Sequence, residues 1–216
     1  MIISIDGPAG SGKSTVAEII SKKLNIIHFN SGLLYRAVAC FLLEQNFDFS
    51  LLSFDSDIPE FDLCVKLINN AQHVFVNNKD YTEHLRDNKI SEYSAFVSKN
   101  KYIRQKIDNC QRSFVANNSV VIDGRDIGSF VFPNAEFKFY LDCSSKVRAQ
   151  RRLLEEQSNG NNFSLEEIEN QIKQRDLLDK TRKVAPLVIP NGAFIIDSTN
   201  LTIEQVVDKM LEIIAK

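Results

Sequence analysis

The stretch IDGPAGSGKST, residues 5–15, narrows the possible folds more than any other part of this 216-residue sequence. It follows Ile2, Ile3 and Ser4 and runs straight into VAEIISKKL, which reads as a helix. Gly7, Gly12, Lys13 and Ser14 fit G-x-x-x-x-G-K-[ST], a pattern that has meaning where a buried strand precedes it and a helix follows. Both flanks are right here. In such a loop, glycines let successive backbone N–H groups turn inward around phosphate, and the helix N-terminus adds its positive end. The candidate triphosphate-binding residues are therefore Gly7, Pro8, Ala9, Gly10, Ser11, Gly12, Lys13, Ser14 and Thr15. Lys13 would reach the β- and γ-phosphates, and Ser14 is a candidate Mg²⁺ ligand.

A strand, a phosphate loop and a helix are the first unit of a wound α/β sheet, and the rest of the chain continues that rhythm. Short, almost continuously apolar runs at 2–5, 26–29, 119–123, 137–141 and 193–197 suit parallel strands covered on both faces. Helical segments are expected at about 13–24, 32–45, 100–116, 144–157, 164–182 and 202–215. The last carries a 3.6-period stripe of Ile203, Val206, Val207, Met210, Leu211 and Ile214. The alternation predicts a doubly wound α/β sheet with helices on both faces. One region breaks it: residues 62–86 alternate apolar and polar, with Asn69-Asn70 and Asn77-Asn78 as turn signals, and read as a small antiparallel insert. Residues 158–164, SNGNNFS, read as a loop and candidate mobile lid between charged helices.

Composition excludes several classes. A net charge of −2 from 26 basic and 28 acidic residues gives no field to attract nucleic acid or an anionic membrane. Cys40, Cys64, Cys110 and Cys143 form no CxxC pair, and with only His28, His73 and His84 beside them a structural zinc site is not expected. No apolar run approaches the ~18 residues of a membrane span. The expectation is one domain over 1–216, reduced and cytoplasmic.

The strand-like run VVI ends in Asp123, where a carboxylate can orient magnesium or its water beside the loop. A phosphate loop serves switches, motors and transferases alike. The guanine-reading N-K-x-D is missing, NNKD at 77–80 is in the wrong register, and no Asp is followed three residues later by Gly. That argues against a GTPase switch, and no heptads or repeats suggest a motor. A transferase needs cations for a second anion. Arg36 and Arg125 follow strand-like runs, Arg148, Arg151 and Arg152 fall at i, i+3, i+4, and Arg175, Asp179 and Arg182 at i, i+4, i+7. Guanidinium groups offset the repulsion between two phosphorylated substrates and the charge that spreads in the transition state. If the acceptor is itself a phosphate, its oxygen is already anionic and no general base is required.

Seven stretches together resemble the bacterial cytidylate (CMP) kinases: IDGPAGSGKST (5–15), SGLLYRAVA (31–39), VFVNNKDYTEHLR (74–86), DGRDIGSFVFPNAEFKFYLDCS (123–144), RAQRR (148–152), QRDLLDKTRKVAPL (174–187) and IIDSTNLTIEQVV (195–207). They run in family order over nearly the whole chain. DGRDIG with RDxxDxxRxxAPL is the most particular. The resemblance implies a P-loop fold with a five-stranded parallel core at 1–30 and 116–216, a nucleoside-monophosphate-binding insert at 31–115 with a small antiparallel sheet, and a lid at 152–182. It implies transfer of the γ-phosphoryl group of ATP to CMP or dCMP with Mg²⁺, the alternatives being another small acceptor such as UMP or a non-catalytic nucleotide-binding module.

By the same resemblance, Ser31, Asp126 and Arg104 read the cytosine, while Arg36, Arg125 and Arg182 hold the acceptor's phosphate. Arg175 and Asp179 lie near its sugar. Arg148, Arg151 and Arg152 sit near the donor phosphates and, with Lys13, Arg125 and Arg182, make the catalytic set. Tyr35 lines the acceptor pocket or fills the core. Cytosine offers an amino donor beside ring acceptors, so a carboxylate paired with a guanidinium would select it over uracil. Three positions depart from the family pattern: Ala95 stands where a serine is frequent near the sugar, with Ser94 beside it, Leu178 replaces a lid arginine, and Asn30 replaces an aspartate.

Overall fold

The computed structural model describes residues 1–85, 88–158 and 160–215. Arg86, within the antiparallel stretch, and Asn159, within the expected lid loop, lie outside the described residues. The strands β1 (Ile2–Asp6), β2 (Ile27–Asn30), β6 (Val120–Gly124), β7 (Phe137–Asp142) and β8 (Phe194–Asp197) form one sheet in the order β2-β6-β1-β7-β8. β1, β7 and β8 pair in parallel, with Ile3 opposite Phe137 and Tyr140 opposite Ile195. The central strands β1 and β6 are almost wholly buried, as their unbroken apolar runs require. A second sheet, β3 (Leu63–Ile68), β4 (Ala71–Val76) and β5 (Lys79–Asp80), is antiparallel.

The asparagine pairs make the turns of this small sheet. Asn69 and Asn70 have φ of 52° and 61°, and Asn77 and Asn78 have 48° and 64°. Two-residue hairpins need positive φ at both central positions, which asparagine tolerates best after glycine. The flanking pairs, Ile68 with Ala71 and Val76 with Lys79, close each turn.

The chain divides into two compact units, residues 1–25 with 121–216, and residues 26–120. In the first, α1 (Lys13–Leu24) and α7 (Ile203–Ile214) bury Val16, Ala17, Ile20, Val206, Val207 and Met210. The helices α5 (Ser145–Ser158) and α6 (Leu165–Thr181) pack through Ala149, Ile168 and Ile172, with Leu153 and Leu165 at the margin. The capping boxes Ser164/Glu167 and Thr202/Gln205 set the starts of α6 and α7. In the second unit, α2 (Ser31–Glu44), α3 (Asn88–Val97) and α4 (Lys101–Val115) accompany the antiparallel sheet, and Asn100 caps α4 by accepting from Tyr102 N and Ile103 N. Two features go beyond the sequence reading. α3 lies in a stretch assigned no element, and β6 is followed by a π-helical turn over Ile127–Val131.

Candidate active site

The phosphate loop joins β1 to α1, and its shape depends on glycine at both ends. Gly7 has φ 151°, and a Cβ there would come within 2.2 Å of Leu141 O. Gly12 precedes α1 at φ 91° in the left-handed region, so the helix begins with no side-chain cap over its first N–H groups. Lys13 Nζ donates to Pro8 O at 2.6 Å and to Ser11 Oγ at 3.1 Å. Burial, together with the nearby Arg125 charge, holds the Lys13 ammonium well below its usual pKa, against the pull of Asp123, Asp6 and Asp179. An incoming phosphate therefore stabilises the charged form of this lysine.

Ser14 Oγ donates to Asp123 Oδ2 at 2.7 Å, so the serine of the loop and the aspartate at the end of β6 meet as the sequence predicts. A hydroxyl and a carboxylate are the hard oxygen donors that Mg²⁺ takes, with phosphate oxygens and water completing its shell. These residues fit that ion.

The expected lid arginines are placed unequally. Arg148 is buried and braces the loop from outside: Nε donates to Cys143 O at 2.8 Å, Nη1 donates to Ala9 O at 2.9 Å, and Nη2 pairs with Asp176 Oδ2 at 2.7 Å. Asp176 Oδ1 in turn accepts from Ala9 N at 3.3 Å. Arg151 donates to Ser198 O at 2.9 Å, and its Nη1 would lie 4.0 Å from a Cβ on Gly12. Arg152 Nε is 3.6 Å from Glu156 Oε1. Sequence reasoning missed Asp176, which sits beside Arg175 in QRDLLD and whose backbone partner, Ala9, is 167 residues away.

A second group gathers around Asp179, near the end of α6. Arg125 Nε donates to Asp179 Oδ2 at 3.0 Å, Arg175 Nε lies 3.5 Å from the same oxygen, and Arg182 Nη1 is 4.0 Å from Oδ1. Arg182 also donates from Nε to Ala185 O at 2.6 Å and pairs through Nη2 with Asp126 Oδ1 at 3.1 Å. Burial alone would raise Asp179, but the charges of Arg125, Arg175 and Arg182 hold it below the ordinary carboxylate value. Burial lowers Arg175, with Asp179 opposing and Arg125 and Arg182 assisting. Three guanidinium groups against two carboxylates leave a positive surplus in the cluster. At the end of β1, Asp6 accepts from Ile127 N at 2.8 Å and Gly128 N at 2.7 Å, a second role the sequence did not disclose.

The unit of residues 26–120 holds the other candidates. Ser31 is buried at the start of α2, just after Asn30, whose backbone is fixed by Gln72: Asn30 N donates to Oε1 at 2.7 Å and Nε2 donates to Asn30 O at 3.2 Å. Tyr35 is buried, and Arg104 Cζ stands 5.7 Å from its ring centroid, within cation–π range. Arg104 Nη1 donates to Ser98 O at 3.3 Å. Arg36 donates to Leu85 O at 3.3 Å and to Ser91 Oγ at 3.5 Å. Ser94 Oγ donates to Ser91 O at 2.7 Å, within its own helix. The neighbouring Ala95 is buried.

Comparison with known proteins shows the family. A family model described as cytidylate kinase matches residues 3–216. A cytidylate kinase from Caldicellulosiruptor saccharolyticus is 40% identical over 215 residues, covering 99% of this chain and 95% of that protein. One from Carboxydothermus hydrogenoformans is 40% identical over 222 residues, covering 100% and 98%. Among solved structures, shikimate kinase from Bacteroides thetaiotaomicron superposes with a TM-score of 0.52 at 14% identity, covering 100% of this chain and 99% of that one, a likeness of fold. On the strength of a match along essentially its whole length, the chain belongs to the cytidylate kinase family.

Proposed function

We propose that this protein transfers the γ-phosphoryl group of ATP to CMP or dCMP, giving ADP and CDP or dCDP. The observation that carries the reading is that one compact unit holds both a triphosphate loop and a carboxylate ringed by three arginines, with Lys13 close enough to Arg125 to feel its charge. In the reaction, an oxygen of the CMP phosphate attacks the γ-phosphorus, the bond from that phosphorus to the bridging oxygen of ADP breaks, and the electron pair leaves with ADP. The acceptor oxygen is already anionic, so the protein's task is positioning and charge stabilisation.

The loop 7–15 holds the donor through backbone N–H groups and Lys13, which follows the charge moving toward the β–γ bridge. Arg125 and Arg182 hold the acceptor phosphate, as does Arg36, while Arg175 and Asp179 lie toward its sugar. Ser31, Arg104 and Asp126 read the cytosine edge, and Tyr35 supports Arg104. Arg151 and Arg152 serve the donor phosphates, and Arg148 joins them by fixing Ala9. Mg²⁺, for which Ser14 and Asp123 are the protein ligands directly or through water, supplies Lewis-acid neutralisation of the phosphate oxygens when bound. We take the chain to act as a cytoplasmic monomer, with 31–115 as the monophosphate-binding region and 152–182 as the lid.

The test is ADP formation with CMP, dCMP, UMP, AMP, GMP and dTMP in parallel. CMP and dCMP are expected to give the highest kcat/KM. Turnover with none of them, despite ATP binding, would overturn the reading.

A further inference from the structure

Asp126 stands at the N-cap of the Ile127–Val131 turn, yet its side chain makes no capping bond. An aspartate in that position ordinarily accepts from the first N–H groups of its own helix. Here two of those groups, Ile127 N and Gly128 N, donate to the two oxygens of Asp6, 121 and 122 residues earlier in the chain. The Asp126 carboxylate lies instead 3.1 Å from Arg182 Nη2. The turn is pressed onto β1 from a second side as well: a Cβ on Gly128 would come within 2.6 Å of Ser4 Oγ and 3.2 Å of Lys138 Cγ.

We propose that Asp6 is a positioning residue for base recognition: by capping the Ile127–Val131 turn in place of Asp126, it reserves the Asp126 carboxylate for Arg182 and the acceptor's base. The proposal rests on the assignment of Asp126 to the cytosine edge made above. Asp6 is fully buried and both its oxygens carry backbone N–H groups, so it acts through the turn and not on substrate. If Asp6 loses an acceptor oxygen, a buried N–H is left unpaired, and a group in that condition takes any acceptor within reach. The nearest in sequence is Asp126 itself. Turning inward to cap, it would withdraw from Arg182 and from the base.

The experiment is steady-state kinetics of the full chain with CMP, UMP and ATP varied separately, for Asp6→Asn, Asp126→Ala and the double variant. Asparagine keeps the size of Asp6 but sets an amide donor against one of the two N–H donors. The expected result is a higher KM for CMP and a fall of about tenfold in the CMP:UMP ratio of kcat/KM, with KM for ATP moving less than about threefold. The double variant should discriminate no worse than Asp126→Ala alone. An unchanged ratio in Asp6→Asn, where Asp126→Ala lowers it, overturns the proposal and leaves the base assignment standing. An unchanged ratio in Asp126→Ala overturns the base assignment and the proposal with it. Equal losses toward CMP and ATP at constant ratio would make Asp6 a structural prop only and also overturn it. Should Asp6→Asn not fold, Gly128→Ala displaces the same turn from the Ser4 side. It is expected to lower the ratio, and an unchanged ratio there overturns the proposal.

Discussion

Asp6, under the phosphate loop, and Asp179, in the arginine cluster, are both buried aspartates of one compact unit, and their surroundings drive them in opposite directions. Burial raises Asp6 to about 7, against the two backbone N–H bonds and Lys13 and with help from Asp126. Asp179 is equally removed from water, yet Arg125, Arg175 and Arg182 hold it below its ordinary value. Two amide dipoles do not replace the hydration of a carboxylate, whereas three cations more than replace it. Asp6 is thus a device of shape that serves the backbone. Asp179 is a device of charge, and without it three guanidinium groups repel one another in the proposed acceptor site.

The largest effect follows from that difference. Asp179→Ala leaves the partly buried Arg125 and Arg175 without their carboxylate, while Arg182 keeps Asp126, and is expected to destabilise the fold by about 3 kcal/mol or more. Asp6→Asn, which disturbs a hydrogen bond to backbone, should cost about 1–3 kcal/mol. Denaturant unfolding of the two variants side by side measures both. An Asp6→Asn loss as large as that of Asp179→Ala would erase the distinction between shape and charge.

A smaller effect separates the phosphate loop from the cluster. Asp176 ties Arg148 to Ala9 N, but Arg148 keeps Cys143 O and Ala9 O as acceptors when that carboxylate is neutralised. Asp176→Asn is therefore expected to loosen the loop by about 1–2 kcal/mol, read as a higher KM for ATP with KM for CMP nearly unchanged. Equal changes in both would show that the loop and the cluster do not respond as separate parts.

The same contrast explains what the sequence could disclose. The loop 5–15 is contiguous, its glycines and Lys13 stand at fixed spacing, and it was legible at once. So were the asparagine hairpins, because a turn is decided by its own two residues. The arginine cluster was half legible: Arg175, Asp179 and Arg182 announce a common helical face, but the arrival of Arg125 at Asp179 spans 54 residues. The support of the loop by Asp176 and of the turn by Asp6 crosses 167 and 121 residues. No periodicity connects such positions, since only the parallel sheet brings them together. α3, only ten residues long, follows directly on a stretch read as an antiparallel insert, and no element was assigned to it.

The smallest effect per step is in the pH dependence of stability, where each aspartate exchanges at most one proton and contributes at most about 1.4 kcal/mol for each pH unit. Asp6 in the folded chain titrates above its unfolded value of 3.8, so between 3.8 and about 7 the native state binds more protons than the unfolded one. Its contribution is fully present below that range and is lost as pH rises through about 7. Asp179 behaves oppositely: its folded value lies below 3.8, so its contribution is present above that value and is lost as pH falls beneath it. Wild-type stability relative to Asp6→Asn should therefore decline from pH 4 to pH 7, while stability relative to Asp179→Asn should decline only on acidification below about pH 4. Unfolding curves for the three proteins across this range decide it, and a flat difference for Asp6→Asn would mean that the two backbone N–H bonds do balance burial after all.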